Sequence, residues 1–280
     1  MRFVLVSPGT FTMGGPKRTE YDISHDKQPH TVNITRPFYC AIHETTVKQF
    51  RAFVEETGYE TDAEKTGKGG LGWDAATSRV RITKTNYTWR NPGFEQGDTH
   101  PVVNVTWNDA QAFVQWLSRK SLRKCRLPTE AEWEYACRAG TGNERALSFL
   151  GEARYEELLN VSDRSLHKIS SPDSFWTGID GNDGYPFTSP VGAFPANAWG
   201  IHDMHGNAAE WCEDWYDKDY YQISPPDDPV GPPAGEYRVI RGGSWIGALH
   251  LAAFDERDNA EENDVDGDRG FRVVVEIENN

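Results

Sequence analysis

The sequence predicts an α+β fold built from short strands, about three amphipathic helices and a large share of irregular chain. Three observations carry this. Aromatic residues reach 12% with 10 Trp, so a substantial core is available. Twenty-six Gly and 16 Pro in 280 residues call for many turns, as a helical bundle would not. Helical and strand-like periodicities alternate along the chain without a composition break, so a single domain over residues 1–280 is expected.

The opening residues 3–6 and 10–13 flank Pro8-Gly9, a hairpin signal, and residues 30–34 continue the short-strand pattern. Residues 46–57 place Val47, Phe50, Phe53 and Val54 at helical spacing, with Gly58 where a C-terminal cap belongs. Residues 61–100 read as irregular with one ribbon near 80–83. Asn108 is positioned to cap a helix to about residue 121, with Ala112, Phe113, Trp116 and Leu117 on one face. Thr129-x-x-Glu132 is a capping box for a helix that ends at Gly140 and turns Trp133 and Ala136 inward. Residues 146–190 show little periodicity. Strand-like runs at 239–240 and 271–275 frame a polar, acidic excursion.

A formal charge of -14 argues against nucleic acid, whose binding rests on clustered Lys and Arg. No run approaches the ~20 apolar residues of a membrane span, and the short apolar start breaks at Ser7-Pro8-Gly9, so a cytoplasmic location is expected. Cys40, Cys125, Cys137 and Cys212 are widely spaced and are expected as reduced, mostly buried thiols. His25 and His30, and likewise His202 and His205, lie close in sequence, but neither pair brings further ligands at metal-site spacing.

Four stretches carry a resemblance. They are Pro8-Gly-Thr-Phe-Thr-Met-Gly14, Arg126-Leu-Pro-Thr-Glu-Ala-Glu-Trp-Glu-Tyr135, Gly206-Asn-Ala-Ala-Glu-Trp211, and Arg241-Gly-Gly-Ser-Trp245 with a closing Gly270-Phe-Arg272. In this order, over roughly residues 1–275, the chain resembles the formylglycine-generating enzyme (sulfatase-modifying factor) family. The resemblance implies a C-type-lectin-like fold with a small mixed sheet. It also implies that two cysteines shortly after Gly-Gly-Ser hold copper(I), activate oxygen and oxidise a substrate cysteine to formylglycine, since soft thiolates suit Cu(I). The matching positions here are Gly247 and Ala252, and no cysteine follows Cys212. That activity is therefore not carried over.

The resemblance further implies calcium as a cofactor at two sets of residues, Asp203, Gly206, Ala208 and Glu210, and Asn160, Val161, Asp183 and Tyr185. Calcium takes six to eight oxygens; Asp203 and Glu210 bracket small residues whose carbonyls are free to turn inward, which favours the first set. Asp183 lies in a turn-forming string that would otherwise read as plain loop.

Residues 246–269 hold eight acids against Arg257 and Arg269. Their length and framing look like the variable region of diversity-generating-retroelement proteins. Substitution at the adenines of an AAC codon reaches the residues at Ile246, Gly247, Ala248, His250, Leu251, Phe254, Asp258, Asp264, Asp266, Gly267 and Asp268, but not Glu256, Glu261 or Glu262. The expected function is non-catalytic ligand binding through a face formed by Trp245, Ile246, Gly247, Ala248, His250, Leu251, Phe254, Asp255, Asp258, Asp264, Asp266 and Asp268. Its apolar centre and acidic rim suit an unknown protein or small-molecule ligand with cationic groups. The alternatives are an accessory oxidoreductase with a site near His202, His205 and Trp211, or an inactive paralogue that regulates an active partner.

Overall fold

A computed structural model describes residues 1–15, 27–141, 155–172 and 178–277. His25 and parts of the 146–190 stretch lie outside the described residues.

The first strand, β1 (Phe3–Val6), pairs antiparallel with β4 (Phe38–Ala41), while β2 (Gly9–Met13) pairs with β3 (His30–Ile34). The hairpin expected around Pro8-Gly9 is thus corrected: the two opening strands enter different sheets, and Pro8-Gly9 turns the corner between them. A side chain at Gly9 would meet the Tyr135 hydroxyl at 2.2 Å, so a larger residue there would force the Tyr135 ring to shift.

The expected helix α1 (Val47–Thr57) is present, capped by Thr46 and closed by left-handed Gly58. Beyond it a short helix, α2 (Asp62–Thr66), and a ribbon of β5 (Gly70–Asp74) with β6 (Arg79–Lys84) occupy the stretch read as mostly irregular. The next helix, α3 (Trp107–Ser121), is capped two residues earlier than expected. Thr106 and Asp109 form the reciprocal box, and Asn108 lies inside the helix. Its predecessor in the core, Asn104, adopts φ of 56°.

After β7 (Cys125–Arg126) comes α4 (Glu130–Arg138), with the Thr129/Glu132 box as expected. It ends one residue early: Ala139 takes the left-handed cap and Gly140 follows. The remaining elements are α5 (Arg164–His167), β8 (Ala209–Trp215), β9 (Arg238–Arg241), β10 (Asp258–Ala260), β11 (Arg269–Gly270) and β12 (Val274–Glu276).

Two four-stranded sheets organise these parts. One has the order β1-β4-β12-β7; the other, β10-β9-β8-β11, is mixed because β11 runs parallel to β8. The α+β class is therefore observed. Phe50, Phe53, Phe113, Trp116 and Phe271 pack ring against ring between α1, α3 and the final strand region. On the other side, α4 covers β2, β3, β8 and β9, with Trp133 and Ala136 fully buried. Among the described residues, no helix is long and apolar enough to cross a membrane.

Candidate functional site

The loop from residue 203 into β8 is the crossing point of the molecule. Glu210 lies on β8 and faces inward. Its Oε1 accepts from Arg272 Nη2 at 2.6 Å, and its Oε2 accepts from Arg272 Nε at 2.6 Å and from Trp133 Nε1 at 2.8 Å. Arg272 also donates to the carbonyls of Ala41 and His202. A bidentate guanidinium pair of this kind fixes geometry as well as charge.

Asp203 adopts φ of 58° and is buried; its Oδ2 accepts from Gly192 N at 2.6 Å, while Oδ1 is buried without a partner. Burial pushes its carboxyl up to about 6. Nearby Glu44 accepts from the Asn207 side chain and from Ala208 N. Burial, reinforced by Asp203 and Glu210, raises its carboxyl well above the usual range. The His43 ring stacks on His202 at 4.7 Å, and burial followed by that neighbour lowers it to about 4.

The two sets of residues expected to hold calcium share a wall. Asn160 bridges to Gly206 in parallel, and Asn207 N donates to Asn160 O. Gly206 has φ of 80°, and a Cβ there would lie 2.1 Å from Asn160 O, so only glycine fits. Asn160 Nδ2 donates to Phe187 O, whereas its Oδ1 is buried without a partner. Asp183 gathers the rest of its set: Oδ2 accepts from Val161 N at 3.2 Å and Oδ1 from Tyr185 N at 2.7 Å. Burial and the adjacent Asp163 push it up to about 7.

The arrangement differs from the expectation at Glu210, whose two oxygens are engaged by Arg272 and Trp133 instead of standing open toward an ion. Among the described residues, no group of three or more His, Cys, Asp or Glu is placed to hold a metal. An oxygen-seeking ion here would depend on carbonyls and on the two orphaned oxygens, Asp203 Oδ1 and Asn160 Oδ1.

Residues 245–268 do not form one open face, and that expectation is corrected. Trp245 is a core residue: its Nε1 donates to Gly267 O and its ring meets Phe94 and Phe187 edge-on. Phe254 lies under the Arg138 guanidinium at 3.7 Å, and Ala248 and Asp255 are buried. Asp266 and Asp268 are also buried, bound to Arg81 at 2.5 and 3.1 Å, with Ser244 donating to Asp268. Ile246 and Gly247 are half-buried. Of the residues expected to form the face, those that are exposed are His250, Leu251, Asp258 and Asp264; Glu261 and Asn263 are exposed beside them in the segment.

The positions matched to the copper cysteines serve the backbone and the core. Gly247 N closes a turn onto Ser244 O, and Gly247 O accepts from Ser162 N. Ala252 is fully buried against Leu159 and Val161. Gly243, at φ of 66°, lets that segment come so close that a Cβ would meet Ala252 backbone at 2.8 Å. All four cysteines are unpaired and buried. Burial pushes the Cys40 thiol up to about 12 and raises those of Cys137 and Cys212, which opposes thiolate chemistry. Trp211 is fully buried with Nε1 on Val105 O, and His202 Nδ1 pairs with Phe194 O.

Sequence reasoning missed Glu44, Asp163, Arg81 and the pairing role of Arg272. Asp163 and Arg81 had no local pattern to expose them. The closing Gly-Phe-Arg motif did contain Arg272, and its partner is visible only in three dimensions.

Comparison with known proteins agrees with this architecture. The model of the sulfatase-modifying factor enzyme 1-like domain matches residues 1–277. The chain is 34% identical over 268 residues to the formylglycine-generating enzyme of Thermomonospora curvata, covering 87% of this chain and 82% of that protein. It is 30% identical over 291 residues to the mouse protein named inactive C-alpha-formylglycine-generating enzyme 2, covering 95% and 83%. Among solved structures it is similar to PvdO from Pseudomonas aeruginosa, with a TM-score of 0.76, 30% identity and coverage of 98% and 94%. Treponema denticola variable protein 1 shares the fold at a TM-score of 0.68 and 23% identity, with coverage of 98% and 95%.

Proposed function

The chain belongs to the sulfatase-modifying factor enzyme 1-like family, and within it we propose that this protein is a non-catalytic ligand-binding member. One observation carries the reading. The two positions where the resemblance implies copper-binding cysteines hold Gly247, which closes a turn, and Ala252, which fills the core, and every thiol of the chain is buried. Likeness to a relative named inactive supports a fold that persists without that chemistry.

The contact surface of the proposal is narrower than the whole acidic segment. His250 and Leu251 form an exposed tip, Leu251 at 45% exposure, and Asp258 and Asp264 supply exposed acids. An apolar anchor on a segment that also exposes carboxylates suits a ligand bearing cationic groups, with Asp264 already paired to Arg269. Diversification by a retroelement is part of the same reading, supported by the shared fold with a variable protein. A neighbouring reverse transcriptase gene with a near-identical template repeat of the 240–272 coding segment is the expected finding. A genome without either rules diversification out.

Calcium remains part of the proposal as a loop-stabilising ion. The Asn160, Val161, Asp183 and Tyr185 set suits it, because Asn160 Oδ1 is buried without a partner and the carboxyl of Asp183 is desolvated beside Asp163. Asp203 would add its own orphaned oxygen at the Gly206 and Ala208 turn, with Glu210 held back by Arg272. Such an ion would supply charge compensation and fix the loops. Oxygen uptake with a cysteine-containing peptide and added copper tests the non-catalytic reading, which requires none.

A further inference from the structure

One guanidinium reaches from an exposed strand into a buried acidic notch. Arg81 lies on β6 with its side chain 48% exposed. It donates from Nη1 to Asp266 Oδ2 at 2.5 Å and from Nη2 to Asp268 Oδ2 at 3.1 Å. Both carboxylates are buried, and Ser244 Oγ donates to the same Asp268 oxygen at 2.7 Å. The notch is not saturated. Asp268 Oδ1 is buried without a hydrogen-bond partner. Arg269, 3.0 Å from Asp264, stands 3.8 and 4.0 Å from Asp266 and Asp268. Burial, then the adjoining Asp268, pushes Asp266 up to about 7, the sign of a site short of positive charge.

The backbone behind Arg81 is equally informative. Register between β5 and β6 runs from Gly72 with Ile82 to Asp74 with Arg79, so Val80 and Arg81 together stand opposite Trp73 as a bulge. Arg81 takes φ of 55°, the left-handed region that suits glycine. Strain of this kind concentrates at ligand clamps and switch segments.

We propose that Asp266, Asp268 and Ser244 form a recognition site for a guanidinium group, the arginine side chain of a polypeptide ligand, and that Arg81 is its built-in competitor. The present occupant defines the chemistry. Oxygens of two residues take two nitrogens of one planar group, a fork that an ammonium, a single point of charge, does not match. The notch opens to solvent along the exposed Arg81 side chain, which leaves by rotating about its own bonds. Trp73 and Val80 meanwhile keep the ribbon on the cluster of Phe94, Phe187 and Trp245. Exchange replaces one guanidinium by another, so no carboxylate is left buried and unpaired. The site rests on the ligand-binding reading and adds a buried charge contact to it, apart from the His250 and Leu251 tip. Failure at the notch leaves that reading in place, whereas formylglycine production would end the reading whatever the notch binds.

Calorimetric titration of the full chain with methylguanidinium tests the proposal. Arg81→Gly empties the notch and suits the left-handed backbone at once; Arg81→Asn, the next most tolerant residue there, serves if the glycine variant does not fold. The expected result is one saturable site in the emptied protein. Affinity should be at least about tenfold lower in the wild type, where Arg81 competes, and about tenfold lower for methylammonium. Adding Asp268→Asn to the emptied protein should abolish binding. Absence of saturable binding to the folded variant, or equal affinity in the wild type or for methylammonium, would overturn the proposal and leave Arg81 as a structural ion pair.

Discussion

Arg272 holds Glu210 through both carboxylate oxygens at 2.6 Å, with Trp133 on the same carboxylate, all three side chains buried. Removing one partner of such a pair leaves a buried charge uncompensated and costs about 3–5 kcal/mol. Glu210→Gln should therefore lower unfolding free energy by about that amount in urea titration. A loss under about 1 kcal/mol would mean that the pair is not closed as described.

Calcium is expected to stabilise the loops around Asn160 and Asp183. A chelator should lower the melting temperature and added Ca²⁺ restore it, by about 2.7 kcal/mol equivalent at one hundred times the dissociation constant. Asp183→Asn should abolish the response. An unchanged melting temperature in chelator removes calcium from the account.

Much of the scaffold was readable because its signals are local. Thr46 with Gly58, and Thr129 with Glu132, announce helices through caps that need only neighbouring residues. β8 was not readable: Ala209–Trp215 is buried on nearly every residue, so it lacks the alternation that marks a half-exposed strand. The corner at Pro8-Gly9 misled for a related reason, since a turn signal does not say which sheet receives the next strand. In the site, the missing cysteines at 247 and 252 were legible as letters. The burial of Trp245, Asp266 and Asp268 was not, because Phe94, Phe187 and Arg81 reach them from far along the chain.

That burial divides residues 245–268 by tolerance. Substitutions at His250, Leu251, Asp258 and Asp264 should change stability by no more than about 0.5 kcal/mol. Trp245→Ala, which empties a core position, should cost about 3–5 kcal/mol. Thermal unfolding of both groups checks the division, and equal sensitivity would contradict it.

Asp109 gives a pH signature. Burial, with Asp62 adding, pushes its carboxyl up to about 6 in the folded protein, against about 3.9 when unfolded. The raised value means that folding favours the protonated form. The stabilisation it gives is fully present below about pH 4 and is lost as pH rises through about 6, a change of about 3 kcal/mol. Asp203 and Asp266, raised to about 6 and about 7, act in the same direction, so the contribution is isolated by comparison with Asp109→Asn. Urea unfolding from pH 4 to 7.5 should show a smaller fall for the variant; identical slopes would refute the assignment.

The most direct test of the central claim is aldehyde formation. The full chain, supplied with copper, oxygen and a cysteine-containing peptide, should leave the peptide mass unchanged and unreactive toward an aldehyde-specific hydrazide. Turnover to formylglycine above the copper-only background would contradict a non-catalytic protein with Gly247 and Ala252 at the positions matched to the copper cysteines.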